Sequence, residues 1–294
     1  MATTIPQDRS PATRPRPSGR RKGISPWIPN QHGAWAMLIT PAVLGVLAAA
    51  LGWARTAPGQ RSVGDLLTVG LIVFAWFTGY AAFFAFGLVA RARTARRRRD
   101  YLPPVGVYGA LCAAALVGVL LLRPATAVWA LPYLPLVAVA VWETHRRRPR
   151  SLVSGTSTTL ASALLLPVLA DVGGWPLTWT GPVAVSGVFL ALYFTGTIPF
   201  VKTMIRERGN TGFLVGSVLY HLVAVLGLGV PVLAAPGRSW AGLLMAAVLA
   251  LALARSVWFP LSARRGRGWT ARQIGLAEIP LLLLAAATVV LALT

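Results

Sequence analysis

Long apolar runs separated by short polar clusters make up most of the chain from about residue 34 onward. Each run has roughly 17 to 25 residues, which an α-helix needs to cross the hydrocarbon core of a bilayer. The third and fourth runs are separated only by Arg123 and Pro124, which predicts a tight helical hairpin. The pattern predicts an all-α fold, a polytopic transmembrane bundle of about nine helices. The predicted spans are 34–54, 66–90, 104–122, 125–142, 152–170, 181–201, 213–234, 239–261 and 274–293.

Composition supports a membrane-embedded chain. Of its 294 residues, 56% are hydrophobic and 12% are charged, whereas soluble domains carry about 25% charged residues. So few charges cannot cover a water-facing surface. Most of the chain is therefore expected to face lipid or other helices.

The amino-terminal segment differs from the rest. Residues 1–26 are rich in Pro, Arg, Ser and Thr and lack apolar periodicity, so they cannot bury enough surface to fold. We predict a disordered, basic cytoplasmic tail over 1–26 and a transmembrane helical domain over 27–294.

The placement of basic residues predicts the orientation of the bundle. With the amino terminus inside, 23 of the 28 Lys and Arg residues lie in the tail and the inside loops, and only four lie in outside loops. Cytoplasmic loops are enriched in these residues. We predict a cytoplasmic amino terminus, a carboxy terminus outside, and a multi-pass protein of the bacterial cytoplasmic (plasma) membrane.

The net charge of +21 bears on partners. Because the basic residues form short clusters between apolar runs, we expect contact with the anionic headgroups of the lipid bilayer and no nucleic-acid binding. The single cysteine, Cys112, excludes an internal disulfide. No metal-binding or cofactor-binding motif is present, so we predict neither a metal nor a cofactor. The sequence does not indicate an oligomeric state.

Polar residues inside spans are energetically costly and mark candidate sites. His32, His221, Arg255 and Glu278 all fall in the predicted cytoplasmic half. Each has a structural alternative: Arg255 can snorkel to the interface, Glu278 can neutralise Arg255, and the two histidines can form hydrogen bonds or interfacial anchors. The ligand-binding candidates in and beside the spans are Gln31, His32, Trp35, Tyr220, His221, Arg255 and Glu278.

The loop after the sixth span contributes four more candidates: Lys202, Arg206, Arg208 and Asn210. If the sixth helix continues, Lys202, Arg206 and Asn210 lie on one face at i, i+4 and i+8. Gly209 suits the left-handed conformation that ends a helix. Such a cationic surface can hold a phosphate or an acidic headgroup. Its alternative is the ordinary positive charge of a cytoplasmic loop.

Two segments carry a family resemblance. Pro29–Leu38 (PNQHGAWAML) and Val201–Asn210 (VKTMIRERGN) resemble the YwiC-like family of bacterial integral membrane proteins, as do Tyr220-His221 and the region around Tyr101 and Tyr108. The resemblance covers about residues 27 to 294. It implies a multi-pass membrane protein and no particular reaction.

The predicted architecture is also similar to that of the UbiA-type membrane prenyltransferases. That similarity implies nine helices and active-site loops after helices two and six, where the enzymes hold Mg²⁺ and a prenyl diphosphate with Asp-rich motifs. Here those loops offer only Asp100 and Glu207 among basic residues. The usual metal-dependent chemistry is therefore not expected.

Three functions follow as hypotheses. The first is binding of an anionic or isoprenoid-type amphiphile at a cytoplasm-facing basic site, without catalysis. The second is a divergent UbiA-like prenyltransferase in which cations stabilise the leaving diphosphate in place of metal. The third is a transporter or proton-coupled permease that uses Glu278, Arg255 and His221.

Overall fold

The computed structural model describes residues 25–30, 32–55, 62–235 and 239–294. Within these ranges the chain is helical, with no strand, and nine helices are long and apolar enough to cross a membrane. The predicted all-α transmembrane fold is thereby confirmed. The nine helices are α1 (His32–Arg55), α2 (Val63–Arg91), α3 (Ala95–Leu122), α4 (Pro124–His145), α5 (Leu152–Val172), α6 (Pro182–Ile205), α7 (Thr211–Ala234), α8 (Trp240–Arg264) and α9 (Ala271–Leu293).

Side-chain caps fix several helix starts because the first N–H groups of a helix lack partners within it. Ser62 forms a capping box at the start of α2, and Thr270 forms one at the start of α9. Thr94 accepts a hydrogen bond from Arg97 N, so α3 begins at Ala95. This start is earlier than predicted, and the basic run from Arg96 to Arg99 therefore lies on the first turns of α3 rather than in a loop.

Two helices depart from regular α geometry. In α5 the α-helical segment ends at Ala163 and a second one runs from Leu165 to Val172. In α7 a π-helical turn occupies Val225–Gly229. Such turns occur often at functional sites, and this one directly follows the segment that carries His221.

Helix α6 lies at the centre of the carboxy-terminal half, where it packs against α5, α7, α8 and α9. Its side chains Phe189, Leu190 and Phe194 are fully buried and join Val248 of α8 and Val289 of α9 in one core. A second core joins α1, α2 and α5. Helices α3 and α4 are peripheral, since only 11% of the most apolar stretch of each is buried.

The helices alternate in direction, so the loops fall at two ends that differ in their ionic contacts. The basic end carries the loops after α2, α4, α6 and α8. At the opposite end, Arg123 contacts Asp65 at 3.4 Å and Asp171 at 3.9 Å. Trp129 Nε1 also donates to Asp171, at 2.9 Å. Among the described residues no ion pair within 4 Å occurs at the basic end.

Candidate functional site

An ion pair lies within the helical bundle. Arg255 of α8 donates through Nη1 to Glu278 Oε2 of α9. The two side chains are only 7% and 17% exposed. Arg255 therefore does not snorkel to the interface, and the pairing alternative for Glu278 is the one that the structure shows.

Helix α6 supplies aromatic neighbours to this pair. The Arg255 guanidinium lies 4.3 Å from the centre of the Phe200 ring, an arrangement in which the ring face attracts the cation. Tyr193, about two turns earlier on α6 than Phe200, interacts electrostatically with both Arg255 and Glu278. The pair is thus held between α6, α8 and α9.

His221 of α7 completes the cluster. Its side chain interacts electrostatically with Arg255, and its Nδ1 lies 2.7 Å from the carbonyl oxygen of Ser217. A carbonyl oxygen only accepts hydrogen bonds, so Nδ1 must donate. In the neutral ring Nε2 is then the unprotonated acceptor.

Gly196 lets α6 approach α7 at this point. A β-carbon at position 196 would stand 2.9 Å from His221 Nε2 and 3.1 Å from Tyr220 Cε1. Tyr220 donates its hydroxyl to the Leu192 carbonyl at 3.0 Å, which fastens the two helices together. Tyr220 therefore has a structural role, and its neighbour His221 faces the buried cluster.

Several polar atoms of the cluster have no hydrogen-bond partner among the described residues: Arg255 Nε, Arg255 Nη2, Glu278 Oε1, His221 Nε2 and Ser217 Oγ. Buried polar groups are nearly always hydrogen-bonded. So many unpartnered atoms in one place distinguish this cluster from an ordinary structural ion pair. We call Tyr193, Ser217, His221, Arg255 and Glu278 the buried cluster.

A pocket of about 170 Å³ opens at the basic end between α6, α7 and α8. Its lining includes Thr203, Leu214, Pro260, Arg208 and Arg264. An apolar layer of Phe200, Met204 and Ile274 is fully buried nearby. Thr203 and Leu214 lie about one turn closer to the basic end than Phe200 and Ser217, so the pocket lies over the buried cluster along the helix axes.

Three cations gather beside this pocket, one from the last turn of α6 and two from loops, and among the described residues no carboxylate lies within 4 Å of them. Lys202 and Arg206 interact with each other, and Arg206 also interacts with Arg150 from the loop after α4. Partial burial, followed by the charge of Arg150, lowers the pKa of the Arg206 guanidinium. Glu207, the acid in the same loop, accepts from Asn210 Nδ2 at 3.0 Å. We call Arg150, Lys202 and Arg206 the cation cluster.

The structure corrects one part of the predicted loop geometry. Helix α6 ends at Ile205, and the backbone N–H groups of Arg206 and Glu207 both donate to the Lys202 carbonyl. Asn210 is therefore not on the same helical face as Lys202. It caps α7 instead, because its side chain accepts from Phe213 N at 3.1 Å. Gly209 has the expected left-handed conformation, with φ +85°.

The remaining candidates lie apart from the buried cluster. Arg208 donates to the Trp269 carbonyl at 3.1 Å on the surface. Trp35 donates to the Pro29 carbonyl at 3.3 Å and packs edge-on against Tyr80 of α2. Gln31 lies outside the described residues, as does the side chain of His32.

Sequence reasoning missed the contribution of α6 to the buried cluster. Tyr193, Gly196 and Phe200 belong to an apolar run that contains no charge. Only the tyrosine hydroxyl in that run could have drawn attention to it. Arg150 was counted as loop charge, and its approach to Arg206 depends on how α4 and α5 pack.

These features define the class: a multi-pass helical membrane protein with a buried ionic cluster beneath one strongly basic end. The family model described as YwiC-like protein matches residues 28–170. The chain is 26% identical over 260 residues to "Uncharacterized protein YwiC" of Bacillus subtilis (strain 168). The aligned region covers 86% of this chain and 92% of that protein. The resemblance to the YwiC-like family that the motifs predicted is thereby confirmed.

A second relative, an "Uncharacterized protein" of Haemophilus influenzae, is 24% identical over 202 residues, or 68% of this chain and 76% of its own length. No solved structure matches the chain. None of these matches is named as a UbiA-type enzyme, so that similarity stays a prediction.

Proposed function

We propose that this YwiC-like protein binds the headgroup of an anionic, isoprenoid-type amphiphile at the cation cluster, on the predicted cytoplasmic side. The observation that carries the proposal is the approach of Arg150 and Lys202 to Arg206, three cations against which Glu207, through its interaction with Lys202, sets a single negative charge. Like charges held together destabilise one another, and a phosphate or diphosphate between them would relieve that repulsion.

The contrast between the two ends supports this proposal. At the opposite end Arg123 is paired with two aspartates, and Arg55 donates to the Leu293 carbonyl at 2.8 Å. At the basic end Glu207 interacts with Lys202 and accepts a hydrogen bond from Asn210, so it offsets one of the three cationic charges. Most of the unpaired positive charge of the described residues is thus at the end where a lipid headgroup from the inner leaflet would arrive.

The site does not require a metal to hold its ligand. Cationic side chains would bind the headgroup directly, whereas the apolar tail would extend along the lipid-facing surface of the bundle. We assign binding, and no catalytic step, to this site.

The test measures thermal stability of the purified chain in mild nonionic detergent against farnesyl diphosphate, dodecyl phosphate and zwitterionic dodecylphosphocholine, each with Mg²⁺ and with EDTA. A ligand at a hundredfold excess over its dissociation constant stabilises the folded state by about 2.7 kcal/mol. We expect stabilisation by the two anionic amphiphiles that survives EDTA and is lost in the Lys202→Gln/Arg206→Gln double variant.

The matched control is Arg97→Gln/Arg98→Gln, which removes the same charge from the same end at exposed positions on α3. It should keep the response. If both double variants lose the stabilisation equally, it arises from the general positive charge of this surface, and the proposed site is overturned.

A further inference from the structure

The buried cluster contains a preformed edge for recognising an oxyanion. A guanidinium presents two parallel N–H groups along its Nε and Nη2 side, and this geometry matches the two oxygens of a carboxylate or phosphate. In Arg255 the other side is engaged, because Nη1 binds Glu278. The Nε and Nη2 atoms are both buried, in a residue that is only 8% exposed, and neither has a hydrogen-bond partner among the residues that the structure describes.

The aromatic and ionic neighbours fix the direction of this edge. Phe200 covers one face of the guanidinium, and Glu278 occupies the Nη1 side. Rotation of the side chain is thereby restricted, so the Nε and Nη2 groups are held in place before any ligand arrives. A preorganised fork loses little conformational freedom when it binds.

The charge of the cluster limits what can bind. Arg255 and Glu278 together are neutral, and Lys202, two residues beyond Phe200 on α6, interacts with Arg206 and Glu207 at the basic end. A lone anion would leave a net negative charge in a medium of low dielectric constant, where an uncompensated charge is very costly. A neutralising proton must therefore accompany the anion.

His221 offers the acceptor for that proton. Its Nδ1 already donates to Ser217, so Nε2 is the free acceptor and lacks a partner. The other titratable groups that face the site are Tyr193 and Tyr220, from α6 and α7, and Glu278 from α9. Glu278 is committed to Arg255 through one oxygen, and the neutral hydroxyls of Tyr193 and Tyr220 are already protonated, so His221 is the group free to gain a proton.

We propose that Arg255 and His221 form a buried site that takes up one oxyanion group, a carboxylate or a singly charged phosphate, together with one proton. The fork of Arg255 binds two oxygens, and the proton resides on His221 Nε2, which then donates to the bound group. The site is distinct from the cation cluster, and the inference goes beyond amphiphile binding there. The pocket at the basic end lies on the side from which the ligand would enter.

The test is calorimetric titration of the full chain in mild nonionic detergent with acetate, inorganic phosphate, dodecanoate and dodecyl phosphate. Each probe is measured at pH 6 and pH 8 in two buffers of different ionisation enthalpy, which reports the protons taken up. For acetate and dodecanoate we expect uptake of about one proton per anion and tighter binding at pH 6. The two phosphates are largely doubly charged at pH 8, so they should take up about one proton more at that pH. Binding of the small anions would identify a free solute, and binding of the two amphiphiles alone would identify a lipid headgroup.

Three variants test the residue roles. Arg255→Lys keeps the charge but lacks the fork, so affinity should fall at least tenfold. His221→Gln should abolish the proton uptake that accompanies acetate and dodecanoate. Arg272→Gln, an exposed change on α9, should leave affinity within twofold and keep the proton uptake. If Arg255→Lys does not fold, the Arg255→Gln/Glu278→Gln double variant preserves neutrality and should also fail to bind.

The inference is overturned if no probe binds, if Arg255→Lys binds as tightly as the native chain, or if the proton uptake with acetate or dodecanoate persists in His221→Gln. The Lys202→Gln/Arg206→Gln variant separates the two proposals. It should lose amphiphile binding at the cation cluster and keep anion binding linked to proton uptake. A native chain that binds amphiphiles without any proton uptake would support the cation cluster and refute the buried site.

Discussion

His221 on α7 faces Gly196 on α6 so closely that a β-carbon on the glycine would lie 2.9 Å from the imidazole Nε2. The contact depends on the absence of a side chain at position 196. It places the free nitrogen of the histidine at the α6–α7 boundary, toward the ionic residues of α8 and α9.

Gly196→Ala should therefore destabilise the protein. The ring atoms of His221 and Tyr220 would have to move, and overpacking of this kind costs about 1–3 kcal/mol. The measurement is the free energy of unfolding in mixed micelles. Gly216→Ala on α7 is the control, since nothing lies within 4 Å of a β-carbon there; an alanine in a helix should stabilise it by about 0.5–1 kcal/mol. Equal effects of the two changes would contradict the close approach.

The Arg255–Glu278 pair predicts non-additive effects on stability. Removing one partner of a buried ion pair leaves an unpaired charge and costs about 3–5 kcal/mol. Arg255→Met and Glu278→Met should each show such a loss. The double variant should lose less than the sum of the two, because no charge is then left unpaired. Strict additivity in unfolding experiments would show that the pair does not form.

Arg123 should hold the opposite end together. It contacts the aspartates at the start of α2 and near the end of α5, and it also donates to the Asp171 and Val172 carbonyls. Hydrogen bonds of charged groups contribute about 1.5–3 kcal/mol each, so Arg123→Gln should lower the free energy of unfolding by at least that much. Arg98→Gln, an exposed change on α3, should alter it by less than about 0.5 kcal/mol. Similar losses in both would refute the role of the network.

Asn210 is expected to act on folding rather than on ligand recognition. Its side chain caps α7, and loss of such a cap costs about 0.5–2 kcal/mol. Asn210→Ala should show that loss in thermal unfolding, whereas Asn210→Ser should recover most of it. Amphiphile affinity should stay unchanged in Asn210→Ser. A large loss of affinity in that variant would return Asn210 to the ligand-binding residues.

The predicted orientation can be tested by cysteine accessibility. In a Cys112→Ser background, Trp179→Cys introduces a thiol in the loop after α5, where the native side chain is 92% exposed. Arg148→Cys introduces one at the basic end. A membrane-impermeant maleimide applied to intact cells should label the first and reach the second only after permeabilisation. The reverse labelling pattern would show that the protein has the opposite orientation in the membrane.

The sequence was sufficient for the nine spans because each apolar run has the length of a bilayer crossing and a charged or Gly/Pro-containing segment separates it from the next. It also named both members of the Arg255–Glu278 pair, since charges inside spans are rare. It could not place Tyr193, Gly196 and Phe200 beside that pair. Those residues are ordinary members of an apolar helix, and their importance arises only from how α6 packs against α7, α8 and α9.

In the loop after α6, a sequence pattern predicted the wrong geometry. Its i, i+4, i+8 spacing suggested one helical face, but the helix ends at Ile205 and the backbone bonds to the Lys202 carbonyl turn the chain. The cation cluster forms instead across two loops. The residue that completes it, Arg150, is separated from Arg206 by two helices along the chain.

The π turn at Val225–Gly229 changes how α7 should be compared with its relatives. A π turn accommodates one residue more than the same length of α-helix, so a helical wheel drawn continuously from Thr211 to Ala234 assigns the wrong side to every position after the turn. The residues before the turn, which include Ser217 and His221, and the residues after Gly229 follow two different helical registers. A relative that lacks one residue in 225–229 would keep both faces intact, and a gap placed there in an alignment would conserve the geometry rather than disrupt it.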